Sequence, residues 1–213
     1  MKAVIFDFDG VIAGSMDKHI DAFRHALKGK AEVKESDIYS LEGDSSQRII
    51  QKLLGKESVD KEVLELTEKK RDYYHKQIPN VKVEEEALKL AKDLKEDGIQ
   101  VAIATGTIRD NVKKILGEKL GIFDLLVTAE EVEKGKPDPE VYLKTAEKLG
   151  IKPEECVVIE NAPSGIQAAK KAGMTCIAIT TTLQAKQLKE ADETTENFDE
   201  IRSSIKKIRE STN

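Results

Sequence analysis

Five short runs rich in Val and Ile recur along the chain, at residues 3–7, 100–104, 125–128, 156–159 and 176–180. Each is continuous rather than alternating, the pattern of a strand covered on both faces in a parallel sheet. Between most of them, residues 84–97, 108–120, 139–149 and 164–172 carry apolar side chains three and four apart with Lys and Glu in the gaps, which predicts amphipathic helices. Gly98, Gly121, Gly150 and Gly173 follow these segments, where helices commonly stop in a left-handed residue. The alternation predicts an α/β fold, a doubly wound Rossmann-like parallel sheet. Residues 14–80 interrupt it, because helical patterns at 20–27, 48–54 and 63–78 follow one another there with no strand between. The chain therefore divides into a core of residues 1–13 and 81–213 and an inserted helical cap of residues 14–80. A final amphipathic helix is expected at 201–208.

Composition narrows the class of function. The chain has 213 residues, 39% hydrophobic and 35% charged, with a formal net charge of -5. Without a basic surface it is not expected to bind nucleic acid or an anionic membrane, so a small molecule is the expected partner. The first apolar segment is short and ends in acids, unlike a signal peptide or a membrane span. Cys156 and Cys176 both lie in apolar runs and read as buried reduced thiols rather than a disulfide framework or a metal cluster. A cytoplasmic location is expected, with the chain a monomer or weak homodimer.

The chemistry gathers at the ends of the predicted strands. In such sheets ligands collect at the carboxyl ends of strands. The first run stops at Asp7-Phe8-Asp9-Gly10, where the two-residue period lets Asp7 and Asp9 address one site while Phe8 packs the other way. The second ends in Thr105-Gly106-Thr107, a hydroxyl and several backbone N–H groups just before a helix, which suits an anion such as phosphate. The fourth ends in Glu160-Asn161, an acid and an amide oxygen suited to a hard cation such as Mg²⁺. Between them Lys136 sits in Gly-Lys-Pro-Asp-Pro, a loop that its prolines stiffen.

In this order the four segments resemble the haloacid dehalogenase superfamily, and within it the branch of β-phosphoglucomutase-like phosphatases and mutases with a small helical cap. The resemblance covers almost the whole chain. It implies the sheet order 3-2-1-4-5, a cap inserted after the first strand, and Mg²⁺-dependent phosphoryl transfer through a phosphoaspartate. Asp7 would be the nucleophile. Asp9 would be the general acid and base, with its backbone carbonyl on the metal. Thr105, Gly106, Thr107 and Lys136 would offset charge on the phosphoryl oxygens, and Glu160 and Asn161 would complete the metal site with Asp7 and Asp9.

Departures from the pattern carry their own expectations. Asn161 stands where many relatives have a second acid, so Mg²⁺ should bind more weakly, and Asn161→Asp should lower the Mg²⁺ concentration for half-maximal activity. In the cap, His19 matches a histidine of related mutases and phosphatases and is expected near Asp9 or the leaving group. Lys70 falls near a mutase lysine, although Glu68-Lys69-Lys70-Arg71 reads by itself as a solvated charge cluster. No clear match appears for the arginine with which mutases hold a second phosphate, and Arg48 is the candidate substitute. The leading expectation is a phosphatase acting on a small phosphorylated metabolite, of the sugar phosphate or phosphoglycolate type. A β-phosphoglucomutase-like isomerase and a noncatalytic binding module are the alternatives.

Overall fold

The computed structural model describes residues 1–212. Strand β1 (Ala3–Phe6) runs through a tight turn into β2 (Ala13–Gly14). Four helices follow, α1 (Met16–Leu27), α2 (Glu35–Ser40), α3 (Ser46–Leu53) and α4 (Lys61–Gln77). Strand β3 (Lys82–Val83) then returns antiparallel to β2, placing Ala13 opposite Val83 and Gly14 opposite Lys82. The remainder alternates through α5 (Glu85–Glu96), β4 (Gln100–Ala104), α6 (Arg109–Leu116), β5 (Leu125–Val127), α7 (Glu140–Leu149), β6 (Cys156–Glu160) and α8 (Pro163–Lys171). It closes with β7 (Thr175–Ile179), β8 (Glu193–Thr195) and α9 (Phe198–Thr212).

The main sheet has the order β5-β4-β1-β6-β7-β8 with every pairing parallel. Its first five members follow the expected 3-2-1-4-5 order. The sixth, β8, is an addition, too short and too polar in Glu193-Thr194-Thr195 to register as an apolar run. Burial of β1 on both faces explains its unbroken hydrophobicity: Val4 and Phe6 pack with Leu90 and Leu94 of α5 and Ile201 of α9. Ala3 and Ile5 pack instead with Tyr142 and Ala146 of α7 and Ile166 of α8.

The four helices between β2 and β3 have their own apolar cluster, built on Ile20, Phe23, Leu27, Ile38, Ile50 and Val63. The starts of α3 and α4 are set by side chains, with Ser45 accepting from the N–H of Arg48 and Asp60 from that of Val63. The β2–β3 ribbon is where the chain leaves the core and returns to it. Two sequence expectations need correction. The helix expected over 108–120 ends at Leu116, because Gly117 takes a positive φ of 54° and the chain tightens into a 3-10 segment, while Gly121 has no positive φ. The last helix is longer than expected at both ends. Among the described residues no helix is long and apolar enough to cross a membrane.

Candidate active site

Asp7 is the first residue past β1, and its N–H still donates to the carbonyl of Ile159 (2.9 Å). The chain then turns sharply, with the Phe8 carbonyl accepting from Val11, Ile12 and Ala13. Gly10 occupies the turn with φ +83°, and a Cβ there would lie 2.1 Å from Asn161 Nδ2, so backbone conformation and space both require glycine. Asp7 and Asp9 both line one cavity of about 330 Å³ between core and cap.

Lys136 crosses to this turn from the loop before α7. Its ammonium donates to Asp7 Oδ1 (2.6 Å) and Glu160 Oε1 (2.7 Å). Glu160, fully buried, also accepts from Tyr142 Oη (2.8 Å) and from the N–H groups of Asn161 (2.8 Å) and Ala162 (3.0 Å). Those four donors fill the acceptor sites of a carboxylate. Glu160 is therefore placed as the anchor of Lys136, with no lone pair left over for the metal-ligand role the motif implied. Burial pushes the Asp7 carboxyl up to about 7; Lys136 opposes this, while the negative charges of Glu160 and Asp9 reinforce it. Lys136 is held charged, because its two carboxylates outweigh the cost of burial.

Asp9 is clasped on both oxygens. Ser15 Oγ (2.5 Å) and His19 Nε2 (3.2 Å) meet Oδ1, and Thr107 Oγ1 (2.6 Å) donates to Oδ2. Burial alone would raise its pKa, but these contacts reverse the shift and hold the carboxyl below the usual carboxylate range. Thr105, at the end of β4, is buried and accepts from the Thr107 N–H (3.0 Å), so its own O–H is left to donate. Thr105, Gly106 and Thr107 all line the cavity.

The cap contributes a second chain of contacts. Lys70 Nζ donates to His19 Nδ1 (2.8 Å) and Ser46 Oγ (3.2 Å), and lies over the rings of Phe23 and Tyr74. An ammonium can only donate, so His19 accepts at Nδ1 and carries its proton on Nε2, which donates to Asp9. Burial and the Lys70 charge lower the His19 pKa, in keeping with a neutral ring. His19 also stacks on Tyr74 with centroids 4.0 Å apart.

The solvated-cluster reading of Lys70 is thus corrected. Val63, Leu66, Lys70 and Tyr74 are the buried residues of α4 and share one stripe, while Arg71 turns outward to Glu68. Arg48 does not line the cavity: its side chain is half exposed and pairs with Asp44 (3.4 Å), whose buried carboxylate does line it. Asn161 is fully buried, its Nδ2 donating to Glu42 (2.5 Å) and Thr182 (3.0 Å). Ser15, Glu42, Tyr142 and Thr182 escaped sequence reasoning, since each is an ordinary residue in its local context. Both cysteines are free and buried, and burial raises the thiol pKa, to about 11 for Cys156, so both stay protonated.

The sequence profile of haloacid dehalogenase-like hydrolases matches residues 4–179, most of the chain. The protein belongs to that family. Among its hydrolase relatives, the phosphorylated carbohydrates phosphatase of Thermotoga maritima is 31% identical over 186 residues, covering 82% of each chain. The validoxylamine A 7'-phosphate phosphatase of Streptomyces hygroscopicus subsp. limoneus is 37% identical over 118 residues, 54% of this chain. The chain spans only 55% of the length of that relative and 19% of another. A solved structure of a putative β-phosphoglucomutase from Bacteroides vulgatus superposes with a TM-score of 0.86 at 29% identity, covering 99% of this chain and 89% of that one.

Phosphatases and mutases of this hydrolase family generally depend on Mg²⁺. Among the described residues no three or more His, Cys, Asp or Glu side chains converge as a metal cluster. A cation here would draw on mixed oxygen donors, which is the chemistry Mg²⁺ favours. The residues fit: Lys136 hydrogen-bonds one carboxylate oxygen of Asp7, and Asn161 Oδ1 is buried with no hydrogen-bond partner.

Proposed function

We propose that this chain is a Mg²⁺-dependent phosphatase that hydrolyses the monophosphate ester of a small hydroxylated alcohol, a sugar phosphate above all, through a phosphoaspartate at Asp7. The observation that carries the reading is the Asp7–Lys136–Glu160 bridge at the floor of a cavity into which Asp9 also faces. Lys136 fixes Asp7 at a strand end, where its carboxylate can attack phosphorus as the bond to the ester oxygen breaks. Asp9 protonates the departing alcohol, then takes a proton from the water that cleaves the mixed anhydride. Its clasp keeps it ionised in the resting arrangement; the negative charge of an arriving phosphate raises its proton affinity, so it takes a proton from solvent as the ester binds and delivers that proton to the leaving oxygen. Thr105, the N–H group of Gly106, and Lys136 stabilise the equatorial oxygens. Asp7, Asn161 and the Asp9 carbonyl would hold Mg²⁺, which when bound supplies further charge neutralisation at the phosphate.

The cavity favours hydrolysis over isomerisation. Its only Lys or Arg linings are Lys136 and Lys70, both already engaged, while Glu42, Asp44 and Glu133 are acidic. A second phosphate, or the carboxylate of phosphoglycolate, would meet no free cation there. Met16, Phe23, Ile38 and Ile49 from the cap instead offer an apolar wall to a neutral leaving group. The test is phosphate release from a panel of sugar phosphates and polyol phosphates with Mg²⁺, run beside Asp7→Asn. Turnover in the native chain and a loss of at least about 10³-fold in the variant are expected. Turnover that survives in Asp7→Asn, or that requires a sugar bisphosphate activator, would overturn the reading.

A further inference from the structure

Glu42 follows α2 in the cap, yet its partners belong to the core. Its carboxylate, 6% exposed, accepts from Asn161 Nδ2 (2.5 Å) and Thr182 Oγ1 (2.9 Å), and its backbone carbonyl accepts from Ser164 Oγ (2.7 Å). Gly43 beside it has φ +86°, and a Cβ there would come within 1.9 Å of Ser164 Oγ. One cap residue is thus seated on three core side chains, by a backbone that approaches closely enough to exclude any side chain at the next position.

Both donors to this carboxylate are neutral. No Lys, Arg or His among the described residues pairs with it, whereas Asp7 and Glu160 are close enough to oppose its charge. Lys136, which lines the same cavity, is committed to those two acids. Held only by neutral dipoles beside two other acids, the buried carboxyl is pushed up to about 8, and a positive charge joining it would favour its ionised form. At the same place Asn161 Oδ1, on the amide that holds Glu42, is buried without a partner. A buried acid with no cationic partner and an amide oxygen with no donor thus meet at one point between cap and core.

We infer that Glu42 is the second acid of the cation site, supplied by the cap where Asn161 leaves the core one charge short, so that cation binding and cap closure are coupled. The inference rests on the Mg²⁺-dependent reading above. Asn161 becomes an adaptor in this arrangement: its Nδ2 fastens the cap acid, and its Oδ1 faces the cation's needs. By reciprocity, the cation favours the seated cap as strongly as the seated cap favours the cation.

The experiment is calorimetric titration of Mg²⁺ alone into the native chain and Glu42→Gln, with hydrogen exchange of residues 41–45 followed in parallel. Gln can keep the contact to Asn161 through its Oε1 and, with the Thr182 hydroxyl turned to accept from its Nε2, the contact to Thr182, while removing the charge. Glu42→Gln is expected to weaken Mg²⁺ by about tenfold or more and to abolish the slowing of exchange at residues 41–45 that Mg²⁺ causes in the native chain. Adding Asn161→Asp to that variant should restore affinity without restoring the slowed exchange. In EDTA the Gln variant should unfold at the same temperature as the native chain or higher, which separates a lost cation partner from a damaged fold. Native Mg²⁺ affinity in Glu42→Gln, or a lower unfolding temperature in EDTA, would overturn this inference alone. A native chain that binds no Mg²⁺ would overturn it together with the reading it rests on.

Discussion

Two lysines line the same cavity at the same 5% exposure, and their environments drive them in opposite directions. Lys136, from the core, lies between two carboxylates and is held charged. Lys70, from the cap, has a histidine, a hydroxyl and two aromatic rings around it, and burial pushes it down to about 8, with only the more distant charge of Asp9 opposing. Burial is equal, so the partners decide. In the proposed mechanism the core lysine is a fixed charge at the reacting end, while the cap lysine orients His19, which in turn orients Asp9. Chemistry and its alignment are thereby divided between the two halves of the cleft.

The largest effect should come from Lys136→Met. Removing the ammonium leaves Asp7 and Glu160 buried without a counter-charge, which is expected to lower stability by about 3 kcal/mol and to abolish turnover. Lys70→Met strands no acid within salt-bridge distance. Its stability should match or exceed that of the native chain, with a loss of about 100-fold that falls on kcat more than KM, as Asp9 loses its orientation. Chemical denaturation and steady-state kinetics on the two variants check this. Equal destabilisation by both would break the contrast between them.

The Lys70 contribution also has a defined pH signature. Its pKa in the folded chain, about 8, lies below the ordinary 10.5, so the folded state binds fewer protons than the unfolded state between those values. Stability contributed by this group therefore rises with pH across that window. Any stability advantage of Lys70→Met should shrink by about 3 kcal/mol as pH climbs through it. Denaturation curves for both proteins at the two ends of the window measure the change, and a constant difference would mean that Lys70 is not the charged group it is taken to be.

Asp7 supplies a smaller and separable effect. In the proposed mechanism its carboxyl, held up to about 7, must lose its proton before it can attack. At low Mg²⁺ the acid limb of kcat/KM should fall near that value, and raising Mg²⁺ should move it to lower pH, because a bound cation favours the carboxylate. A limb indifferent to Mg²⁺ would mean that the cation does not contact Asp7.

The two lysines also mark how far the sequence could be read. Asp7, Asp9, Thr105 and Lys136 were legible because each closes an apolar run or sits in a short motif, and the fold delivers strand ends to one edge of the sheet. Lys70 was obscured by its charged neighbours, although its spacing from Val63, Leu66 and Tyr74 places it on the buried stripe of α4. Arg48 shows the converse, since Ile49 and Ile50 take the inward face of α3 and leave it outside. Glu160 was read as a ligand because its donors come from separate places: Lys136, Tyr142 and the backbone past β6. Glu42 meets Asn161 across a separation of 119 residues, which no local pattern records.

The mirror image of the Lys136 bridge gives the smallest expected effect and the sharpest control. Near the surface, one carboxylate, Glu131, stands between two cations, Arg109 and Lys148, and also accepts from the Thr128 N–H. Partial burial opposes ionisation, but those contacts outweigh it and pull its pKa from 4.5 to about 2. A depressed acid stabilises the fold above its unfolded pKa and loses that contribution as pH falls toward its folded one. Solvent screens this cluster as it cannot screen the buried one, so Glu131→Gln should cost only about 1 kcal/mol near neutrality. That cost should fade as pH falls from about 4.5 toward about 2 and weaken in high salt. If Glu131→Gln proved as damaging as Lys136→Met in denaturant titrations, the number of ion-pair partners rather than burial would set the energy, and the distinction between the core lysine and its surroundings would lose its physical basis.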